Sequence, residues 1–421
     1  MSVFPPMLSL HAAQQRPRAK AAPKIGLAVA GGGPIGYMYE LGALRALDEA
    51  IEGLDLTRLD CYVGVSSGAF LAAGLANRMD TAEMCRIFIT GDSDDVEFHP
   101  EAFLRPALFE YMRRATNAPR LAIEWWRDMM LGRGDSRWSD AITKFGGLVP
   151  TGLFDSTEIE AFLRDVFTRR GRSNDFRTLD ANLFIVAVEL DSGKVVRFGD
   201  EDWDDIPISR AVQASAALPG LYAPVEVIDK SGHARHFVDG ALRRTMHAST
   251  LLDRGIDLLI GVNPLVPFDA STAHRNPEGI ESRLSEGGLP VVLSQTFRTL
   301  LQSRMQVGLS RYAQTYPNVD QLVFEPNSDD GELFFTNVFS FAARRRVCEL
   351  AYRNTLDDLR KRAKELRPVL QANGLALRKD VLADGTRSIL DGLPKRPRAT
   401  ETTARLRRAL DEVEHLVATR R

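Results

Sequence analysis

The sequence of 421 residues has few cysteines, little net charge and no long apolar run. Its three cysteines, Cys61, Cys85 and Cys348, lie far apart without a CxxC spacing, which argues against a disulfide framework and against a cysteine zinc site. The formal charge of −2 argues against a nucleic-acid binder that depends on overall positive charge. No apolar stretch approaches the roughly 18–20 residues that a membrane-spanning helix needs. We therefore expect a cytoplasmic protein with reduced thiols and no nucleic-acid partner.

The residues before Lys24 do not have the order of a secretory signal. Their positive charges follow the apolar part instead of preceding it, and Pro5 and Pro6 interrupt that part. We expect residues 1–23 to form a flexible arm.

Two strand–turn–helix units lie within the first 80 residues. The runs IGLAVAG (25–31) and CYVGV (61–65) are continuously apolar, which is typical of strands buried on both faces of a sheet. Each run leads into a short turn and then a helical pattern, so the sequence predicts a mostly parallel α/β sheet. The same rhythm predicts helices at 156–169 and 208–216 and strands at 182–190, 194–198, 225–228, 235–238 and 257–266.

Three regions depart from this rhythm. Residues 81–150 mix aromatic and methionine side chains with many charges, which indicates a helical insertion or cap within a principal domain that spans 24–290. Residues 291–372 are predicted to form a helical extension. The tail, 373–421, is basic and ends in a predicted amphipathic helix, whose apolar stripe consists of Leu406, Leu410, Val413 and Leu416.

The segment GVSSG (64–68) fits the pattern G-x-S-x-G at a predicted strand-to-helix junction. On so sharp a turn the Ser66 hydroxyl would face a reactant, and side chains in place of Gly64 and Gly68 would collide across the turn. Ser67 is the competing serine, but only Ser66 has glycine both two residues before it and two residues after it. We predict that Ser66 is a nucleophile; a plain turn with a capping serine is the structural alternative.

The loop GGGPIG (31–36) follows the first predicted strand and opens a helix. Gly31, Gly33 and Gly36 match the dinucleotide-binding pattern G-x-G-x-x-G, but that function requires an acidic residue at the end of the next strand, which ends in the serine turn instead. Successive amides at a helix start can also stabilise the oxyanion of an acyl-transfer intermediate. An oxyanion loop and an exposed serine form a consistent pair, so we favour the oxyanion role for Gly31, Gly32 and Gly33.

A serine nucleophile needs a base. None of the seven histidines lies at the late strand-to-loop position of an α/β-hydrolase, and His236 and His247 are the two to consider. Asp239 is the alternative base. A predicted strand delivers its carboxylate to an Asp239-Gly240 turn, at the edge of the sheet where the serine turn should also lie.

Together these segments resemble the patatin-like phospholipase family. The matching stretches, in order, are GGGPIG (31–36), GVSSG (64–68), SAALPGLYAPV (215–225) and DGA (239–241), and the resemblance covers about residues 25–265. It implies a three-layer α/β/α fold, a Ser66–Asp239 dyad without histidine, an oxyanion held by Gly31–Gly33, and no metal or other cofactor. The supporting residues of these motifs are Gly36, Gly64, Ser67, Gly68 and Gly240.

The resemblance further implies a lipid ester substrate, hydrolysed through an acyl-enzyme on Ser66, and peripheral contact with a membrane or lipid-droplet surface. One position departs from the family, because Ile35 occupies the place of the usual Arg or Lys. This departure weakens the case for a phospholipid more than the case for an ester. Two other functions stay open at this stage: an inactive lipid-surface or partner-binding scaffold, and a nucleotide-binding protein that uses the glycine loop.

Overall fold

A computed structural model describes residues 8–15, 23–91, 151–268, 288–327 and 341–393, together with the single residues 93, 96, 98 and 284. The strands are β1 (Leu8–His11), β2 (Ile25–Val29), β3 (Ile51–Glu52), β4 (Cys61–Val65), β5 (Gly152–Phe154), β6 (Asn182–Glu189), β7 (Val195–Phe198), β8 (Gly220–Tyr222), β9 (Val225–Ile228), β10 (Ala234–Asp239), β11 (Leu258–Val262), β12 (Asp320–Phe324) and β13 (Ala376–Leu377). The helices are α1 (Gly33–Ala50), α2 (Ser67–Ala76), α3 (Thr81–Cys85), α4 (Thr157–Phe167), α5 (Ile208–Ser215), α6 (Ser249–Leu252), α7 (Gly288–Thr315), α8 (Phe341–Lys361), α9 (Ala363–Ala372) and α10 (Lys379–Ala383).

Nine of these strands form one sheet in the order β1–β12–β11–β2–β4–β6–β10–β9, with β7 also paired to β6. The five strands from β12 to β6 are parallel, whereas β1, β7, β9 and β10 join antiparallel. Parallel strands are normally covered on both faces, because the connections between them run through helices. Accordingly, every residue of β2, β4, β11 and β12 is buried.

Two hydrophobic clusters cover the opposite faces of this sheet. Leu27 and Tyr62 belong to the larger cluster, to which α1, α2 and α8 contribute, whereas Ala28 and Val63 belong to the smaller one, beside α6 and α7. Alternate residues of a strand point to opposite faces, so helices lie on both sides of the sheet. The predicted three-layer α/β/α fold with a mostly parallel sheet is confirmed.

The N-terminal segment includes a strand and is not a flexible arm throughout. In β1, Leu8 pairs with Phe324 and His11 with Gln321 of β12, and the Leu8 side chain is fully buried. Without β1, β12 would be the edge strand of the sheet and would carry unpaired backbone groups; β1 pairs with these groups. The other parts of the predicted arm, residues 1–7 and 16–22, lie outside the described residues.

The region predicted as a helical extension supplies part of the central sheet. Its strand β12 pairs in parallel with β11, and α8 packs so closely on α1 that a Cβ on Gly42 would lie 2.2 Å from the carbonyl oxygen of Cys348. A predicted boundary at residue 290 therefore does not divide this structure. The sequence pattern missed β12 because its first two residues, Asp320 and Gln321, are polar and interrupt the continuous apolar run that is typical of a buried strand.

Several expectations concern residues that the structure does not describe. Within the predicted insertion at 81–150, the described part is mainly α3 and the π-helical turn Arg86–Thr90, and its remaining aromatic stretch lies outside. The predicted terminal helix also lies outside, since the described tail ends at residue 393. None of the helices in the described ranges combines the length and the apolar content that crossing a bilayer requires.

Candidate active site

Ser66 occupies the sharp turn between β4 and α2. Its φ is 52° and its ψ −120°, a backbone conformation of the kind that costs a non-glycine residue about 1–3 kcal/mol and is concentrated at functional sites. A Cβ on Gly64 would lie 2.6 Å from the Cα of Ala69, and one on Gly68 would lie 2.4 Å from the carbonyl oxygen of Ala30. The two glycines therefore allow the turn to close this tightly.

Asp239 is the last residue of β10, and its side chain is almost fully buried. Its Oδ1 accepts a hydrogen bond of 2.8 Å from the Ala241 amide, and the Ser66 side chain lies near enough to the carboxylate to lower its pKa. Burial raises the pKa of the Asp239 carboxyl to about 6, and the Ser66 side chain and the Ala241 amide oppose this rise. A carboxyl with this pKa is ionised at neutral pH and can accept a proton from a hydroxyl.

One segment holds the backbones of both residues. The Ser66 amide donates a hydrogen bond of 2.9 Å to Oγ of Ser215, whose hydroxyl donates in turn to the Val186 carbonyl at 2.6 Å. The Asp239 amide donates to the Ala217 carbonyl at 3.0 Å. Ser215 is therefore a positioning residue. The sequence drew attention to the stretch 215–225 only through the family resemblance, which gave no role to this serine.

The glycine loop passes directly beside Ser66. A Cβ on Gly31 would lie 2.9 Å from the Cβ of Ser66 and 3.2 Å from that of Ala241, so the loop contacts both the serine turn and the turn after Asp239. The ring of Pro264 packs on the loop, since a Cβ on Gly32 would lie 2.4 Å from its Cγ. The structure thus brings the three short motifs together at one edge of the sheet.

The amides of this loop are not equivalent. The Gly31 amide donates to the Thr245 carbonyl at 3.2 Å and is engaged in this geometry, although the sequence analysis assigned all three glycines the same role. Gly32 is the N-cap of α1, and Gly33 has a φ of 64°. Within the part of the chain that is described, the amides of Gly32 and Gly33 have no acceptor. These two amides, at the positive end of an 18-residue helix, are the ones that an oxyanion could use.

The two histidines that the sequence analysis considered lie elsewhere. Nε2 of His247 is 3.3 Å from the carbonyl oxygen of Gly240, and burial lowers the pKa of this histidine to about 4, so its ring is neutral at pH 7. His236 lies at the surface, 3.7 Å from Glu226. The titratable group beside the Ser66 side chain is therefore the Asp239 carboxylate, while His247 contacts the turn that follows it.

Ser67, the competing serine, faces the interior. A Cβ on Gly36 would lie 3.4 Å from its Oγ, and its side chain is buried beside Glu40 of α1. Glu40 is fully buried, and this burial raises the pKa of its carboxyl well above the usual value. Ser67 is therefore buried in the core beneath the turn, and Ser66 is the serine beside Asp239.

A protein-family model described as patatin-like phospholipase matches residues 27–252, which is more than half of the chain. The chain belongs to the patatin-like phospholipase family. The matched range contains the glycine loop, the Ser66 turn and the Asp239 turn. As a patatin-like phospholipase the chain is a lipid acyl hydrolase, which confirms the predicted enzyme class and favours it over the nucleotide-binding alternative.

The patatin-like chain is also similar to several solved structures. VipD from Legionella pneumophila is 15% identical, with 86% of this chain and 71% of VipD covered and a TM-score of 0.37. Human GIVD cytosolic phospholipase A2 is 13% identical, with 82% and 60% covered and a TM-score of 0.31. The complex of SpcU with full-length ExoU from Pseudomonas aeruginosa gives 17% identity, 72% and 54% coverage and a TM-score of 0.27. Because these TM-scores are below 0.5, the family assignment rests on the family model; no curated protein matches the chain.

Proposed function

We propose that this protein hydrolyses lipid carboxylic esters of the phospholipase A or lysophospholipase type through a Ser66–Asp239 dyad. The observation that carries the proposal is a buried carboxylate beside a serine on a strained strand-to-helix turn. Strained backbone and a pKa raised by burial are both features that concentrate at catalytic sites. Membership of the patatin-like family supports the same reaction class.

In the first half of the proposed reaction, Ser66 Oγ attacks the ester carbonyl carbon while its proton passes to the Asp239 carboxylate. The carbonyl oxygen becomes an oxyanion that accepts hydrogen bonds from the Gly32 and Gly33 amides. As the carbon–oxygen ester bond breaks, the alcohol leaves with the proton from Asp239, and the acyl group stays on Ser66. Because both amides belong to a fixed helix start, they need little reorganisation when the charge develops.

In the second half, water replaces the alcohol. Asp239 accepts a proton from the water as its oxygen attacks the acyl carbon, and the same two amides hold the second oxyanion. The proton then passes to Ser66 Oγ as the acyl–oxygen bond breaks, and the fatty acid is released. Asp239 therefore acts as base and then as acid in each half of the reaction, Ser66 is the nucleophile, and no third residue is needed.

The proposal is tested by hydrolysis of a panel of phospholipid, lysophospholipid, glyceride and p-nitrophenyl esters. The Ser66→Ala protein serves as the blank, and we expect it to lose activity by roughly 10⁴-fold with an unchanged circular-dichroism spectrum. The surface variant His236→Ala should keep wild-type activity, which a histidine-based triad through His236 would not allow. Activity that survives in Ser66→Ala would contradict the dyad.

A further inference from the structure

Helix α7 presents an apolar stripe to solvent. Leu293, Leu300 and Val307 are 57%, 57% and 69% exposed, and they recur every seven residues, so they lie on one side of the helix. Val292, 41% exposed, widens the stripe at its start. Exposed apolar side chains that are aligned along one side of a helix mark an interaction surface more often than scattered ones do.

The same helix is basic. Its 28 residues contain three arginines, Arg298, Arg304 and Arg311, and no Asp or Glu. Arg304 and Arg311 are exposed, and each lies four residues after a member of the stripe, Leu300 and Val307, so the charges flank the apolar residues on the same side of α7. A helix surface that combines exposed apolar side chains with arginines and no acidic residue is suited to contact an anionic lipid surface.

Helix α7 is joined to segments of the candidate active site by two contacts. Arg304 donates a hydrogen bond of 3.0 Å to the Leu242 carbonyl, in the turn that follows Asp239. That turn continues with Arg243 and Arg244, which are both exposed. The second contact lies at the start of the helix, where the Gln295 side chain bonds to both the amide and the carbonyl of Phe268, at 3.2 and 2.7 Å.

Through Phe268, helix α7 is also connected to the segment that packs on the glycine loop. Phe268 lies four residues after Pro264, whose ring packs on Gly32. Helix α7 is thus tied to the segments that cover the glycine loop and that carry Asp239. The stripe, the two flanking arginines of α7, and Arg243 and Arg244 are called here the α7 face.

We propose that the α7 face is the surface on which the enzyme lies against an anionic phospholipid bilayer. The apolar side chains would enter the boundary between headgroups and acyl chains, and the arginines would bind headgroup phosphates. The place where the family usually has a cation in its glycine loop is taken by Ile35, which packs against the larger core cluster. In this chain the arginines of the α7 face, beside the candidate active site, then supply the positive charges that bind the headgroup. The link to catalysis rests on the proposed function.

The sequence of α7 disfavours a second copy of the chain as the occupant. Pairing two α7 faces would bring Arg304 and Arg311 against other arginines, with no acidic residue on either helix to compensate. The residues three positions after each stripe residue are Thr296, Ser303 and Ser310, where a helix pair would need apolar side chains. An anionic lipid surface matches both the charge and the single-stripe pattern.

The test uses the full chain carrying Ser66→Ala, so that the vesicles are not consumed. Flotation with phosphatidylcholine vesicles, and with equimolar phosphatidylcholine–phosphatidylglycerol vesicles, measures the bound fraction. We expect binding to the anionic vesicles that weakens as salt is raised, and a loss of about tenfold or more when Leu300→Asp and Val307→Asp are added. The matched control pair is Leu190→Asp with Ile228→Asp, at 51% and 52% exposure, which should bind as the parent does.

Two results would overturn the proposal. One is unchanged vesicle binding by the Leu300→Asp/Val307→Asp protein; the other is a parent dimer in sedimentation that these substitutions dissociate while vesicle binding stays the same. With Ser66 restored, the variant should lose vesicle hydrolysis and keep hydrolysis of a soluble short-chain ester. Wild-type protein that hydrolyses no ester would refute the proposed function alone, because vesicle binding is measured without turnover.

Discussion

At the scale of single residues, catalysis and folding place opposite requirements on the Asp239 carboxyl group. Catalysis needs its carboxylate in a site shielded from water, where an anion is costly to bury. The structure offsets part of this cost through the hydrogen bond from the Ala241 amide and through the nearby Ser66 side chain, and the pKa still rises to about 6. The balance leaves a base that is ionised at neutral pH and close in pKa to the proton transfers it must perform.

The rate of ester hydrolysis should therefore follow the ionisation of Asp239. Because only the carboxylate can accept the Ser66 proton, kcat/KM for a soluble ester is expected to fall about tenfold per pH unit below pH 6 and to be level above it. A pH–rate series with the wild-type protein measures this midpoint. A midpoint near 4, the usual range of an exposed aspartate, would contradict the burial argument.

Replacing Asp239 with Asn should abolish activity and yet stabilise the fold at alkaline pH. A folded-state pKa of about 6 against 3.8 in the unfolded chain means that the folded state binds the proton more tightly, so stability is lost as pH rises between these values. The full difference corresponds to roughly 3 kcal/mol. Urea unfolding should show Asp239→Asn more stable than wild type by about 1–3 kcal/mol at pH 8 and by little at pH 4. An equal effect at both pH values would contradict the account.

At the scale of elements, the sequence was most informative where apolar runs were long. The strands at 182–190 and 257–266 were predicted from such runs and appear as β6 and β11. The strands β1 and β12 were missed, because polar residues interrupt their apolar runs and their pairing with each other joins residues more than 300 positions apart in the chain. For the same reason the sequence could not show that a distant carbonyl, that of Thr245, engages the Gly31 amide.

The packing of β1 gives a direct test at this scale. Leu8 is fully buried beside β12, so Leu8→Ala should lower the free energy of unfolding by about 2–4 kcal/mol through lost burial and a cavity. Chemical denaturation measures the loss, with the half-buried Ser9→Ala as the control. If Leu8→Ala were as stable as wild type, residues 8–11 would be the flexible arm that the sequence predicted.

At the scale of the whole molecule, the C-terminal region and the N-terminal half form one packed unit. Tyr352 and Arg387 both bond to Glu49 of α1 at 2.7 Å, and α8 crosses α1 at Gly42. The sequence could not reveal this packing, because the residues of α8 were predicted only as part of a helical extension, with no indication of the helix on which they pack. Its apolar side chains complete the larger hydrophobic cluster of the sheet.

A pair of glycine substitutions tests this packing. Gly42→Ala would place a Cβ 2.2 Å from the Cys348 carbonyl oxygen, and we expect it to destabilise the protein by about 2–4 kcal/mol despite the better helix propensity of alanine. Gly308→Ala, in α7, meets no atom within 4 Å and should stabilise by up to about 1 kcal/mol. Equal effects in thermal unfolding would show that α8 is not packed on α1 in this way.

The most direct test of the central claim is covalent labelling with a fluorophosphonate, read by intact mass and peptide mapping. An activated serine beside a base reacts with this probe, whereas ordinary serines do not. We predict one adduct per chain, located on Ser66, absent in Ser66→Ala and retained in the exposed-serine control Ser231→Ala. No adduct on the folded wild-type protein, or an adduct that persists in Ser66→Ala, would contradict the assignment of Ser66 as the nucleophile.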